Sequence, residues 1–253
     1  MNQSENQSTG LSGKTALVTG GSRGIGAAIA ERLAQAGANV VITYQSNAEA
    51  ADHVVAACRK HGVHAEAARC DAGDVPEGQA LVARIVSQLG GLDILVNNAA
   101  VLTAVDLKDC DEAAFDQNIA VNQKGVFFLT QAAAGAMPSG GRIVNIGSIF
   151  GETVPFPGLD LYSMTKFAIA GLTRAWARDL AGAGITVNCI QPGPINTDMN
   201  PEDGALAEAM LPRSPIGRYG RPEEIAEMVA YLCGPNTDNV TGSLFNNDGA
   251  WNA

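Results

Sequence analysis

The sequence has few cysteines, few histidines and a deficit of positive charge. Its 253 residues include five cysteines and three histidines, and 16 basic against 26 acidic residues give a net charge of −10. The cysteine count is odd and no C-x-x-C spacing occurs, which disfavours a disulfide framework and indicates reduced thiols in a cytoplasmic protein. The shortage of lysine and arginine argues against a nucleic-acid partner, because such proteins need a basic face.

Long apolar runs are also missing. No apolar stretch reaches the length of roughly 18 residues that a membrane-spanning helix needs. Met1–Gly10 is polar and lacks the apolar segment of a signal peptide. We therefore predict a flexible tail over residues 1–11 and a single domain over residues 12–253. No metal site is predicted, because the histidines fall in one helix and the turn after it and are interpreted as surface residues: His53, His61 and His64.

Alternating strand and helix patterns fill the rest of the chain. Strands are predicted at Lys14–Thr19, Asn39–Thr43, Val63–Arg69, Leu92–Val96, Arg142–Ile146, Ile185–Ile190 and Leu244–Asn246. Helices are predicted at Gly24–Ala36, Ala48–Lys60, Glu77–Leu89, Glu112–Met137, Asp160–Ala181 and Pro222–Cys233. The strands at Leu92–Val96 and Arg142–Ile146 read as mostly apolar, as buried parallel strands do. The predicted fold class is α/β, a single doubly wound Rossmann-type parallel sheet of about seven strands with helices on both faces.

One long segment, Gln191–Gly220, has no regular pattern and is rich in proline and glycine. It follows a predicted strand, and doubly wound sheets bind ligands beyond the carboxyl ends of their strands. Long irregular segments in compact domains are usually functional. We interpret this segment as a substrate lid, and an ordered surface connection is the alternative.

A glycine-rich turn links the first predicted strand to the first helix. Gly20, Gly24 and Gly26 follow Thr19 in the spacing G-x-x-x-G-x-G. Without side chains, the backbone of such a turn approaches a phosphate closely, and the helix N-terminus supplies N–H donors. The turn therefore predicts a site for a dinucleotide pyrophosphate.

Tyr162 and Lys166 are four residues apart on a predicted helix and share one face of it. An ammonium group beside a phenol stabilises the phenolate. Beside a dinucleotide, this pair indicates proton transfer. An exposed helix pair without a role is the alternative, and the neighbouring Ser163 and Thr165 are interpreted as helix positions without a role.

Taken in order, these motifs and others resemble the short-chain dehydrogenase/reductase family, in particular its 3-oxoacyl-[acyl-carrier-protein] reductases. The resemblance runs from about Gly13 to Gly249 and rests on Thr19–Gly26, Asp71-Ala72, Asn97-Asn98-Ala99-Ala100, Val121–Gly125, Ser148, Tyr162 with Lys166, and Pro192-Gly193 with Thr197. Ala100 departs from the family's glycine. The interval from Ser148 to Tyr162 is one residue longer than is common, which implies a reshaped pocket at Gly151–Gly158.

The resemblance implies catalytic roles for Asn122, Ser148, Tyr162 and Lys166. Tyr162 would be the general acid in reduction, Lys166 would ease its ionisation and hold the cofactor ribose, and Ser148 would bind the substrate oxygen. Asn122 would place a water that links Lys166 to solvent. Cofactor contacts are expected from Gly20, Ser22, Arg23, Gly24, Ile25, Gly26, Tyr44, Ser46, Asp71, Ala72, Asn98, Ala99, Tyr162, Lys166, Pro192, Gly193, Ile195 and Thr197.

The end of the second strand bears on the choice of cofactor. An acidic residue there would bind a ribose 2′-OH and repel a 2′-phosphate, but Ile42–Asn47 contains no acid. Arg23 could face a 2′-phosphate, Tyr44 could stack beside it, and Ser46 and Asn47 could donate hydrogen bonds. We predict NADP(H) in preference to NAD(H).

The substrate is predicted to be a ketone: a 3-oxoacyl thioester, a β-keto ester or another small carbonyl. Met137–Gly141 offers no basic residue for an acidic acyl carrier protein, whereas Arg174 and Arg178 remain available. The expected pocket wall is apolar: Ile149, Phe150, Val154, Phe156, Leu159, Met199, Met210 and Leu211. Alternatives are a sugar or secondary-alcohol dehydrogenase, an epimerase or dehydratase, and a non-catalytic dinucleotide sensor. The resemblance also implies a homotetramer.

Overall fold

A computed structural model describes residues 10–204 and 206–253. Residues 1–9 of the predicted tail lie outside the described residues. The strands form a seven-stranded sheet in the order β3-β2-β1-β4-β5-β6-β7, and every pair of neighbours is parallel. Their bounds are β1 (Thr15–Val18), β2 (Asn39–Tyr44), β3 (Ala65–Arg69), β4 (Ile94–Asn97), β5 (Arg142–Ile146), β6 (Thr186–Pro192) and β7 (Leu244–Asn247). The predicted fold class is confirmed.

Helices cover the sheet on both faces. They are α1 (Gly24–Gln35), α2 (Ala48–Arg59), α3 (Val75–Leu89), α4 (Glu112–Ile119), α5 (Val126–Ala136), α6 (Asp160–Leu180), α7 (Ala207–Met210) and α8 (Pro222–Cys233). One apolar core lies under α1, α2 and α8, and a second lies under α3, α5 and α6. Among the described helices, none has the length and apolar character needed to cross a bilayer.

The first strand shows why these strands read as continuous apolar runs. Ala16 and Val18 belong to the core on one face, and Leu17 between them belongs to the core on the other. Successive side chains of a strand point to opposite faces. Because both faces are covered, apolar residues are favoured at successive positions, which removes the polar alternation of a half-exposed strand.

Two predicted boundaries need correction. Leu11, assigned to the tail, is buried, and its N–H donates to the Ala36 carbonyl at 3.1 Å, so the packed domain includes it. The long helix predicted over Glu112–Met137 is present as far as Ala136, but it is not α-helical throughout. A π-helical turn, Ala120–Gly125, separates α4 from α5. Such turns are rare and cluster at functional sites.

The sheet order reverses between β1 and β4, and this topology places a ligand crevice at the carboxyl ends of the central strands. The glycine turn follows β1, the Asn98 segment follows β4, and Ser148 follows β5. The first two residues predicted as lid, Gln191 and Pro192, belong to β6, and the rest of the lid segment contains the short helix α7. Its ends meet where Ile195 pairs with Gly220. The sequence motifs therefore converge on one edge of the sheet.

Candidate active site

The glycine turn has the backbone that its residues predict. Gly20 and Gly24 have φ of +63° and +53°, values that residues with a Cβ rarely adopt. A Cβ on Gly26 would lie 2.3 Å from the Gly20 carbonyl oxygen. Arg23 is the N-cap residue of α1, and its side chain forms no cap hydrogen bond. Three other helices, in contrast, are capped by the side chains of Asn47, Asp74 and Asp111. The first N–H groups of α1 therefore suit an anionic ligand.

Polar side chains behind the turn fix its shape. The Thr19 hydroxyl accepts the N–H groups of Asn98 at 2.9 Å and Ala99 at 3.0 Å. The Asn98 amide nitrogen donates to the carbonyls of Thr19 at 2.8 Å and Gly20 at 3.1 Å. Thr43 Oγ1 accepts the Gly20 N–H at 3.0 Å. The Asn98 amide thus supports the turn, and the supporting hydroxyls of Thr19 and Thr43 were missed from the sequence.

A cavity lies on one side of the turn, between the ends of β3 and β4. Its lining includes Thr43, Asp71, Ala72, Ala99 and Val121. The Asp71 carboxylate accepts the Gly73 N–H at 2.8 Å and the Gln45 side-chain amide at 3.3 Å. The structure therefore brings Asp71, Ala72 and Ala99 together, as expected for residues around an adenine ring.

The end of β2 carries the residues assigned to the 2′-position. Tyr44 is half-buried and packs against the core under α1, and Ser46 is exposed. Asn47 is engaged as the cap of α2, accepting the Ala50 N–H at 3.0 Å. Arg69, missed from the sequence, pairs in register with Tyr44 and donates to the Gln45 carbonyl at 3.3 Å.

Three more predicted cofactor residues lie on the turn itself. Ser22 is half-buried, Arg23 is exposed, and Ile25 packs against the core. The Arg23 guanidinium lies 4.0 Å from the Asp198 carboxylate, and both side chains are largely exposed. Solvent screens such a pair strongly, so Arg23 remains able to meet an incoming phosphate.

The segment after β6 reaches back over the glycine turn. A Cβ on Gly24 would lie 3.3 Å from Thr197 Cγ2. A Cβ on Gly193 would lie 2.7 Å from Asp248 Cα, which explains the glycine after Pro192. The Ile195 side chain, in contrast, is buried in the core. Ile195 could therefore contact a cofactor only through its backbone.

Lys166 and Tyr162 lie together at the carboxyl end of β5. The Lys166 side chain is 5% exposed, and its Nζ donates to the Ile146 carbonyl at 2.8 Å. The same Nζ lies 5.4 Å from the centre of the Tyr162 ring. A buried ammonium interacts with a nearby phenolate more strongly than an exposed one, because less water screens it.

Ser148 begins the 3₁₀ turn after β5 and is buried. Its Oγ accepts the Phe150 N–H at 3.1 Å, which leaves the hydroxyl proton free to donate. The Phe150 ring meets the Tyr162 ring edge-on, with 6.4 Å between the ring centres.

The apolar cluster beside Tyr162 contains five of the predicted wall residues: Ile149, Phe150, Phe156, Leu159 and Met210. Tyr219 and Trp251 also belong to the cluster and were missed. Val154, Met199 and Leu211 are exposed instead.

Asn122 lies in the π-helical turn and is buried. Its side chain donates to the Val101 carbonyl at 2.8 Å and accepts the Val101 N–H at 2.9 Å. It also donates to Thr165 Oγ1 at 3.2 Å, and that hydroxyl donates to the Tyr162 carbonyl at 2.7 Å. The interpretation of Thr165 as a position without a role is therefore wrong, since it connects Asn122 to the helix that carries Tyr162 and Lys166.

Two cysteines lie near the site without being nucleophiles. Burial raises the pKa of Cys189, and Lys166 opposes that rise only in part, so the value is about 11. Burial, with Glu77 and Asp71 adding to it, likewise raises the pKa of Cys70 to about 11. Thiols with such values carry little thiolate at neutral pH.

Comparison with known proteins bears on the same residues. A family model described as "Enoyl-(Acyl carrier protein) reductase" matches residues 20–252. This chain belongs to the short-chain dehydrogenase/reductase family. It is 40% identical, over 93% of its length and 97% of the relative's, to the 3-oxoacyl-[acyl-carrier-protein] reductase FabG of Staphylococcus aureus. It is 39% identical to the cyclic-di-GMP-binding biofilm dispersal mediator protein of Escherichia coli, covering 96% of this chain and 99% of that one.

A solved structure of the family agrees with the fold. It is a short-chain dehydrogenase from Burkholderia cenocepacia in complex with NADP, with a TM-score of 0.95 and 46% identity over 96% of this chain and all of that one. The chain is accordingly an NAD(P)-dependent oxidoreductase acting on CH–OH groups. The uncapped helix α1 and the glycine turn fit the pyrophosphate of such a cofactor.

Proposed function

We propose that the protein reduces a ketone to a secondary alcohol, reversibly, with NADPH. The observation that carries the proposal is the buried Lys166 ammonium, 5.4 Å from the Tyr162 ring, at the sheet edge that also holds the glycine turn. A phenol and a buried ammonium beside a dinucleotide crevice suit proton transfer to a carbonyl oxygen.

The bonds and charges of the reduction balance with the groups in this site. When bound, the reduced nicotinamide supplies a hydride to the carbonyl carbon. Tyr162 donates its phenolic proton to the carbonyl oxygen, and the Lys166 ammonium stabilises the phenolate left behind. Ser148 donates a hydrogen bond to the same oxygen as negative charge develops there. The Asn122 side chain joins the π-helical turn to Thr165 on α6. The backbone of Asn122 is thereby held in position to bind a water between Lys166 and solvent.

The preferred cofactor is NADP(H). The chain has no acidic residue directly after β2, and the first one along the sequence, Glu49, is in the first turn of α2. Arg23 and Arg69 are exposed and bring two positive charges to the glycine turn and the end of β3. Such positive charges strengthen the binding of a 2′-phosphate, whereas they add little to the binding of a neutral 2′-OH. The Burkholderia relative was solved with NADP, which supports the same choice.

The cofactor preference is tested by comparing kcat/KM for NADPH and NADH. We expect wild type to favour NADPH, and Arg23→Ala to lower that preference about tenfold, since a charge-assisted contact contributes about 1.5 kcal/mol. Arg178→Ala, an exposed arginine on α6, is the matched control. A wild-type preference for NADH would refute the assignment.

An apolar ketone or β-keto ester suits the pocket best, because the cluster beside Tyr162 is aliphatic and aromatic. A 3-oxoacyl thioester on an acyl carrier protein is the second candidate, favoured by the Staphylococcus relative and by Arg174 and Arg178, which are exposed on α6. A sugar would need more polar partners than this cluster offers. A non-catalytic dinucleotide sensor is the candidate from another class, and NADPH binding without turnover of any ketone would favour it.

Replacing Tyr162 tests the reaction itself. Tyr162→Phe deletes only the transferable proton, so we expect kcat on a β-keto ester to fall at least about a thousandfold while NADPH affinity, measured by fluorescence titration, changes little. Lys166→Ala should reduce both quantities. A Tyr162→Phe enzyme with near-normal kcat would place the proton donor elsewhere.

The proposed setting is a reducing one. The five cysteines are all unpaired, and burial raises the pKa of Cys58 to about 11 and of Cys233 to about 12. Unpaired thiols persist where glutathione and thioredoxin keep them reduced. A cytoplasmic location follows as part of the proposal.

A further inference from the structure

The last residues of the chain form hydrogen bonds with the loop that follows Ser148. Residues 248–252, here called the C-terminal turn, are closed by the Asp248 carboxylate, which accepts the N–H groups of Ala250 and Asn252 at 3.0 Å each. The Asn252 side chain then donates to the Ile149 carbonyl at 3.3 Å and accepts the Thr153 hydroxyl at 3.1 Å. The C-terminal turn therefore holds both ends of the segment that contains Glu152.

Glu152 lies at the centre of this contact. Its Oε1 accepts the Gln191 amide at 2.6 Å, and its Oε2 accepts the amides of Asn246 at 3.0 Å and Asn252 at 3.1 Å. Gln191 is fully buried, and its Nε2 also donates to Asn246 Oδ1 at 3.1 Å. All three partners present N–H groups, so the group at position 152 must accept on both of its oxygens. Glu152 is at the surface, where water offsets the cost of its charge.

The segments joined by Glu152 are the ones that bound the proposed substrate pocket. Gln191 immediately precedes Pro192, at the start of the lid segment. In the C-terminal turn, Trp251 belongs to the apolar cluster around Tyr162. The same turn meets the lid, because the Ile216 N–H donates to the Gly249 carbonyl at 3.3 Å. One carboxylate thus links the loop after Ser148, the end of β6 and the C-terminal turn.

We propose that Glu152 is a positioning residue that sets the shape of the substrate pocket. It acts through the loop after Ser148 and the C-terminal turn rather than by touching the reacting atoms. The proposal rests on the proposed carbonyl reduction. If it is correct, loss of the carboxylate loosens the pocket wall and weakens substrate binding, while Tyr162, Lys166 and the glycine turn keep their arrangement.

Glu152→Gln is the primary test, because glutamine has nearly the same size and shape as glutamate. The substitution replaces one accepting oxygen by an NH2 group, which cannot accept the N–H groups of Gln191, Asn246 or Asn252. We expect KM for a β-keto ester to rise about tenfold, as the loss of a charge-assisted hydrogen bond implies, with kcat and NADPH affinity within about twofold of wild type. Glu223→Gln removes the same charge from an exposed position on α8 and should leave KM unchanged. An unchanged KM in Glu152→Gln would overturn the proposal, as would a rise in KM accompanied by equally large losses of kcat and NADPH affinity.

A second variant separates the hydrogen bonds from a general loss of structure. Combining Glu152→Gln with Asn246→Asp returns a carboxylate to the cluster, and the new amide at position 152 can donate to it. We expect KM to recover to within about threefold of wild type. A double variant whose KM defect is as large as that of Glu152→Gln, or larger, would show that these contacts do not set the pocket.

Hydrogen exchange distinguishes failure of this proposal from failure of the proposed function. Loss of protection over residues 149–158 in Glu152→Gln, confined to that loop and the C-terminal turn, supports the positioning role whether or not a ketone is turned over. Wild-type protection throughout would overturn it. A wild-type enzyme that binds NADPH but reduces no ketone would instead refute the carbonyl reduction.

Discussion

At the scale of single residues, hydrogen bonds to the Glu224 carboxylate make the stability of the fold depend on pH. Its carboxylate accepts the Arg218 guanidinium at 2.7 and 2.9 Å and the Arg221 N–H at 2.8 Å. The hydrogen bonds from Arg218, and then that from Arg221, lower the pKa of Glu224 from 4.5 to about 2. Because the folded pKa is below the unfolded one, the carboxylate stabilises the fold above about pH 4.5, and this contribution is lost as pH falls toward about 2.

Glu224→Gln should therefore remove part of the acid sensitivity of unfolding. We expect the variant to lose about 1 kcal/mol of stability at about pH 7, measured by urea unfolding, and to differ little from wild type at about pH 2. Glu223→Gln, its exposed neighbour, serves as the control and should be nearly neutral at both values. Equal effects of the two variants would contradict the role given to the Arg218 pair.

At the scale of elements, the π-helical turn between α4 and α5 has an identifiable packing cause. The turn ends at Gly125, where a Cβ would lie 1.7 Å from the Ala72 carbonyl oxygen. The backbone of the turn therefore presses directly on the segment after β3. The widened turn also places the Asn122 side chain between Val101 and Thr165. Packing against the expected adenine segment and placement of Asn122 thus depend on the same glycine.

Two glycines near or within α5 make a matched pair for testing this. Gly125→Ala must displace Ala72 or the turn, so we expect a loss of about 2–3 kcal/mol in stability and weaker NADPH binding. Gly135→Ala meets nothing within 4 Å, and alanine in a helix should stabilise by roughly 0.5–1 kcal/mol. Thermal unfolding and cofactor titration measure both variants. A Gly125→Ala protein as stable as the Gly135→Ala protein would contradict the packing explanation.

At the scale of the whole molecule, exposed aromatic side chains point to assembly. Phe115 on α4, Phe127 on α5 and Phe167 on α6 are between 39% and 46% exposed. Helix α4 packs against α6, and large apolar side chains exposed on neighbouring elements are typical of interfaces. We propose that these helices pack against a second copy, that the C-terminal strand β7 forms the second contact that a tetramer needs, and that the protein is a homotetramer.

Substitution of Phe167 tests that assembly. Phe167→Arg should place a charge in the interface and give species smaller than a tetramer in light scattering. His53 on α2 is exposed and lies near β3, at the opposite edge of the sheet from β7, so His53→Arg should leave the assembly intact. A monomeric wild type, or dissociation by both variants, would contradict this arrangement.

The sequence by itself determined the fold class, the order of the strands and helices, and the identity of most candidate site residues. Those features are local: apolar runs reveal buried strands, glycines reveal the turn, and motif spacing survives without knowledge of contacts. Only the tertiary structure decided that Asn122 lies in a π-helical turn, that Thr165 joins it to Tyr162, and that Glu152 binds Gln191 and Asn252. These contacts join segments far apart in the chain, so no local pattern carries them, and packing alone brings them within hydrogen-bonding distance.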